Sequence, residues 1–141
     1  MLRVPVTATS SADALSPAEL PVIHGDPGIP VLSVHGIGDL FVPFSMDQQY
    51  DAMMVAHGQG NLFVGRAIRE VTHCGYTTSE LSSAFSALVS WIHTGKRAAG
   101  DNILDAKTVA SPQFGCRFTD PTPGDHPEFK STVACPSSTR H

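Results

Sequence analysis

The sequence has no cluster of lysine and arginine, no long apolar run and no paired-cysteine motif, and each absence removes a class of function. Its 9 Lys and Arg residues are outnumbered by 13 Asp and Glu, for a net charge of −4 with histidine neutral. Nothing in that balance would neutralise a phosphate backbone, so a nucleic-acid partner is not expected. No apolar stretch approaches the roughly 20 residues that span a bilayer, so no membrane partner is expected either. Residues 1–20 carry one arginine and no continuous apolar segment, and do not read as a signal peptide. The compartment stays open between secretion of a longer parent and the cytoplasm. Cys74, Cys116 and Cys135 form no C-x-x-C pair, which argues against a zinc knuckle or a thioredoxin-like motif. The histidines His24, His35, His57, His73 and His93 are scattered with no H-E-x-x-H spacing, so neither a metal site nor a cofactor is expected.

What is present suits a globular chain. Apolar residues make up 41% and charged residues 16%, too apolar for a disordered segment, and 141 residues suffice for one domain with a buried core. Proline and glycine crowd the two ends. The expected division is an irregular segment at 1–20, an ordered part at 21–105 and a Pro/Gly-rich tail at 106–141. Cys116 and Cys135 both fall in that tail. In an oxidising compartment a disulfide between them would contribute roughly 3 kcal/mol; the alternative is two free thiols.

The ordered part alternates. Residues 29–35 are a short, continuous apolar run, as in a strand buried on both faces, with Pro30 tolerated at its start. Ser45, followed by Gln48 three residues on, predicts a capped helix, with Met46, Tyr50, Met53 and Met54 on one face and Gly58 at its left-handed end. Residues 61–68 read as a second strand, broken by Gly65 and carrying an Arg66 that needs solvent or a partner. Thr77 and Glu80 form a second capping box, opening a helix that runs to Thr94. Leu81, Ala84, Phe85, Leu88 and Ile92 form its apolar face, Trp91 flanks it, and Gly95 stops it. His57 and His93 sit near helix C-termini, where the dipole favours an imidazolium.

Strand, helix, strand, helix is the order of a parallel sheet with helices packed on it, joined by a right-handed crossover. Loops that follow parallel strands gather at one edge. Asp39 follows the first strand and His73 the second, and adjacent strands lie about 4.8 Å apart. The two side chains can therefore meet. A carboxylate that fixes one ring nitrogen leaves the other free to take a proton from a hydroxyl nucleophile.

Two segments carry a more specific likeness. "PVLSVHGIGDLFVPFSMDQ" resembles the acid-bearing strand and loop of α/β-hydrolases, through Gly38, Asp39, Val42 and Pro43. "VTHCGYTTSELSSAFSALVSWIHTG" resembles their histidine loop and following helix, through His73, Cys74, Glu80, Trp91 and Gly95. The order acid then histidine is also that family's order. The likeness covers about residues 20–105, weakly the tail through "FGCRF", and is strongest to bacterial hydrolases of esterase or peptidase type. It implies an α/β fold comprising the last strand–helix–strand–helix units of a hydrolase sheet. It also implies catalytic roles for Asp39 and His73, a small-molecule ester or amide substrate with esters favoured, and no cofactor. Phe41 and Phe44, beside Asp39, could line an acyl pocket or belong to the core.

The departure from that family is equally plain. No Gly-x-Ser-x-Gly occurs, so the nucleophile is missing, and only about 20 residues precede Pro21. The expectation is a truncated or partial chain, inactive alone, whose first strand lacks a neighbour and offers an edge for self-association. Cys74 reads as a packed small residue rather than a nucleophile. His35-Gly36-Ile37-Gly38 mimics an oxyanion motif, but His35 reads better as a strand-end histidine hydrogen-bonded near the site. Two other classes stay open: a non-catalytic remnant or interaction module, and a metal-dependent hydrolase.

Overall fold

A computed structural model describes residues 22–121 and Cys135. The expectations for residues 1–20 and for the rest of the tail lie outside these. The chain runs through β1 (Val31–Gly36), α1 (Ser45–Ala56), a 3-10 turn (Gly60–Leu62), β2 (Phe63–Ile68), α2 (Thr78–Thr94) and the short α3 (Ala106–Val109). β1 and β2 pair in parallel, with register Val31↔Phe63 through Gly36↔Ile68. The architecture is mixed α/β, built on a two-stranded parallel sheet. Both strands start two residues later than the sequence suggests, because Pro30 precedes β1 and the 3-10 turn takes Asn61 and Leu62.

β2 is buried along its whole length. On one face Phe63 and Ala67 join Met54, Ile103 and Phe114 in the core, while Val64 and Ile68 are buried on the other. Gly65 interrupts the apolar run for a steric reason: a methyl group there would stand 3.0 Å from Ile103 Cδ1. Arg66 finds the partners its position demands. Its Nε donates to the Ala99 carbonyl at 3.1 Å, and its guanidinium lies 4.4 Å over the Phe118 ring.

The two sheet edges differ. The outer edge of β2 is closed by groups outside any strand. Arg97 donates to the Phe63 carbonyl (2.6 Å), the Asp101 N–H to the Gly65 carbonyl (2.9 Å), and the Ala67 N–H to the Asp101 carboxylate (2.9 Å). The outer edge of β1, expected to stand open, is covered at its C-terminal end by one side chain. The Tyr76 hydroxyl donates to the Val34 carbonyl (3.0 Å) and accepts from the Gly36 N–H (3.1 Å).

The helices correct the sequence reading in two places. α2 has the expected capping box, with Thr77 Oγ1 accepting from the Glu80 N–H at 3.1 Å and the Glu80 carboxylate accepting from the Thr77 N–H at 2.7 Å. α1 does not. Ser45 is its first helical residue, Phe44 occupies the cap position without a side-chain bond, and Gln48 instead donates to the Ile103 carbonyl at 2.7 Å. A long-range contact took the side chain that a local cap would have used. The buried residues of α2 are Glu80, Ala84 and Trp91, whereas Leu81, Phe85 and Ile92 are exposed. Met46 of α1 is also exposed, and Met54 carries the buried face.

The start of the tail is less irregular than its composition suggests. Residues 106–121 include α3 and insert Phe114 into the core. Arg69 fastens this segment by donating to the carbonyls of Pro112 (2.9 Å) and Phe114 (3.1 Å), and Cys116 is bonded to Cys135.

Candidate functional site

Gly38 brings the loops after β1 and β2 together. The ladder continues one residue past β1, the Ile37 N–H donating to the Ile68 carbonyl at 2.9 Å. The Gly38 N–H then donates to the Glu70 carbonyl at 3.0 Å. A methyl group on Gly38 would lie 2.7 Å from Val71 Cγ1 and 3.1 Å from that carbonyl oxygen, so only glycine lets the loops approach this closely. With both N–H groups committed to carbonyls, Ile37 and Gly38 cannot serve as an oxyanion hole. The motif that His35-Gly36-Ile37-Gly38 mimics is therefore not functional in this arrangement.

Asp39 is held by three donors. Its Oδ1 accepts from the backbone N–H groups of Phe41 (2.8 Å) and Val42 (3.0 Å), a local Asx-type turn. Its Oδ2 lies 2.7 Å from His73 Nδ1. The Asp39 side chain is 4% exposed and that of His73 49%. The Val42 N–H, followed by the His73 contact, pulls the Asp39 carboxyl down from 3.8 to about 2. A folded value below the ordinary one makes the Asp39 contribution to stability complete above pH 3.8, and lost as pH falls through about 2. A carboxyl carbon NMR titration should give an Asp39 midpoint of about 2; a midpoint at 3.8 would mean that the three bonds are absent in solution.

The histidine loop is shaped by a buried acid that the sequence did not reveal. Glu70 is 1% exposed. Its Oε1 accepts from the Val71 N–H (2.8 Å), the Thr72 N–H (3.0 Å) and the Thr72 hydroxyl (2.9 Å). The next turn passes through Cys74, which has φ 60° and is exposed rather than packed as the sequence suggests. A side chain in that left-handed conformation costs roughly 1–2 kcal/mol. Cys74→Gly is thus expected to raise stability by about 1 kcal/mol in a urea titration, and a loss of stability would contradict the assigned backbone.

Chemically, the pair has the polarity of a general base. An ionised carboxylate only accepts, so the hydrogen lies on His73 Nδ1, and the neutral ring keeps a free lone pair at Nε2. No hydrogen bond to Nε2 is present among the described residues. Phe41, 80% exposed, stands edge-on to His73 with ring centroids 6.0 Å apart. Phe44 turns away into the core, edge-on to His35 and Phe114. His35 sits at the strand end as expected, with Nε2 2.9 Å from the Val42 carbonyl. Sequence reasoning missed Glu70 and Tyr76; the one available signal was their placement on either side of His73 in a short loop. A cavity of about 300 Å³ lies elsewhere, at the first turns of α2, lined by residues that include Ser79, Ser83 and Arg117 but neither Asp39 nor His73. Among the described residues no group of three His, Cys, Asp or Glu side chains could hold a metal ion, and no helix is long and apolar enough to cross a membrane.

Comparison with known proteins gives a partial likeness. Over 74 residues, 52% of this chain, it is 32% identical to an o-phthalyl amidase of Xanthobacter agilis. That stretch spans 16% of the amidase, far less than its whole length. No family model and no solved structure matches the chain.

Proposed function

We propose that this chain supplies the acid and the histidine of a serine hydrolase that cleaves an amide or ester bond. The observation that carries the reading is the 2.7 Å contact between Asp39 and His73, on loops that follow two adjacent parallel strands. The likeness to an amidase supports it and shifts the expected substrate from esters toward amides. In this reading a serine on polypeptide beyond this chain meets His73 Nε2. Its oxygen adds to the substrate carbonyl carbon as its proton passes to Nε2. The bond to the leaving group then breaks, and the leaving amine or alkoxide takes that proton. Water repeats the sequence on the acyl-enzyme. Asp39 orients the ring and stabilises the imidazolium, remaining ionised throughout. The exposed Phe41 ring beside His73 offers an apolar contact for the acyl group.

A fluorophosphonate probe tests this. The chain alone should not label. A chimera in which it replaces the matching stretch of the Xanthobacter amidase should label at a serine outside the exchanged stretch, and lose that labelling with His73→Ala. Labelling of the isolated chain, or labelling of the chimera indifferent to His73, would end the proposal.

A further inference from the structure

His35 touches neither Asp39 nor His73, yet a chain of contacts ties it to both. Its ring is buried, at 8% residue exposure. Nε2 lies 2.9 Å from the Val42 carbonyl oxygen, Nδ1 lies 3.5 Å from Asp47 Oδ1, and Phe44 packs edge-on with centroids 5.4 Å apart. A carbonyl oxygen can only accept, so Nε2 carries a hydrogen. In a neutral ring Nδ1 would then be a bare lone pair facing a carboxylate, which also only accepts.

Asp47 is itself short of donors. Its Oδ1 accepts from the Ser33 hydroxyl at 3.0 Å, while its Oδ2 is buried with no hydrogen-bond partner among the described residues. The placement follows from the strand: Ser33 and His35, two residues apart on β1, share a sheet face and meet the first turn of α1 there.

We propose that His35 is a positioning residue for the candidate site: seated between Asp47 and the Val42 carbonyl, it pins Val42 so that the Val42 N–H fixes the Asp39 carboxylate against His73. The Val42 carbonyl accepts from His35, and the N–H of the same residue donates to Asp39 Oδ1 at 3.0 Å. The other oxygen of Asp39 meets His73 at 2.7 Å. That N–H is also the foremost cause of the lowered Asp39 pKa. The Tyr76 hydroxyl bonds the backbone on both sides of His35 and is kept neutral by burial, which pushes it up to about 12. The role assigned to His35 rests on the hydrolase reading for its meaning, although the contacts do not.

NMR on the full chain tests the inference without any activity. Nitrogen spectra of the wild type should show His35 Nε2 carrying a hydrogen at neutral pH. The Asp39 carboxyl midpoint should rise from about 2 toward 3.8 in His35→Ala, and stay low in His35→Gln, whose amide N–H can still reach the Val42 carbonyl. A bare Nε2 in the wild type, an Asp39 midpoint unchanged by His35→Ala, or one raised to 3.8 in His35→Gln would each overturn it. Should His35→Ala not fold, the wild-type spectrum and His35→Gln decide. An inactive chimera that keeps these signatures would count against the hydrolase reading alone. An active chimera with a bare His35 Nε2 would count against the positioning role alone.

Discussion

In the amidase chimera, His73→Ala should lower kcat by a factor on the order of 10⁶, and Asp39→Asn by about 10⁴, with KM changed far less. The geometry explains the size of the second effect. Oδ1 of residue 39 accepts from two backbone N–H groups, and this fixes the orientation of the head group. In Asp39→Asn the amide NH₂ must therefore take the place of Oδ2, facing His73 Nδ1. Donor against donor drives the ring hydrogen to Nε2, the nitrogen that has to accept the serine proton. The histidine stays in place with the wrong tautomer. Because the two residues act as a unit, the double variant should be little worse than His73→Ala alone. Steady-state hydrolysis of an aryl amide measures all three. Retention of more than about a tenth of the activity in His73→Ala would exclude the general-base role. The interaction-module alternative predicts a chimera without turnover, on which neither substitution acts.

The largest stability effect should come from Glu70→Ala. One oxygen of this buried side chain receives three hydrogen bonds, from two backbone N–H groups and the Thr72 hydroxyl. Removing it strands those donors, each at about 1–3 kcal/mol, less what water recovers at the half-buried Val71 and Thr72. A net loss of roughly 3–4 kcal/mol follows, a large share of the roughly 5–15 kcal/mol that holds a typical domain together. Glu70→Gln keeps an acceptor at that oxygen position and gives up only the charge, so it should cost about half as much. Urea unfolding of the three proteins checks the order. A loss below 1 kcal/mol in the alanine variant would mean that the loop is organised by something else.

Much of this arrangement was legible in the residues, and the exceptions have physical causes. Both strands and the two long helices follow from apolar runs and helical periodicity, and the Thr77–Glu80 box was readable because both partners are local. The Ser45–Gln48 pattern misled, since Gln48 lay within reach of the Ile103 carbonyl, 55 positions away. Periodicity placed Leu81, Phe85 and Ile92 on one side of α2, but it carries no information on which side meets the sheet. Glu70 was invisible for a related reason: a carboxylate in a loop reads as solvated unless one knows that the following N–H groups turn back onto it. Asp39 and His73 could be named because strand order sends their loops to one edge and because both lie in the two segments that resemble α/β-hydrolases. The 2.7 Å separation also needs Gly38 and the bonds that lock the two loops.

The pairing of β1 with β2 makes the site a vernier on alignment. Each residue along a parallel strand advances about 3.3 Å, more than the whole Asp39–His73 separation. A slip of one position would carry Asp39 out of reach and turn Ser33 and His35 to the opposite side of the sheet, away from Asp47. The imidazole–carboxylate bond can therefore exist in only one of the neighbouring alignments. A signal from that bond, such as its downfield proton, reports that two segments 34 positions apart in the chain have seated in the correct frame.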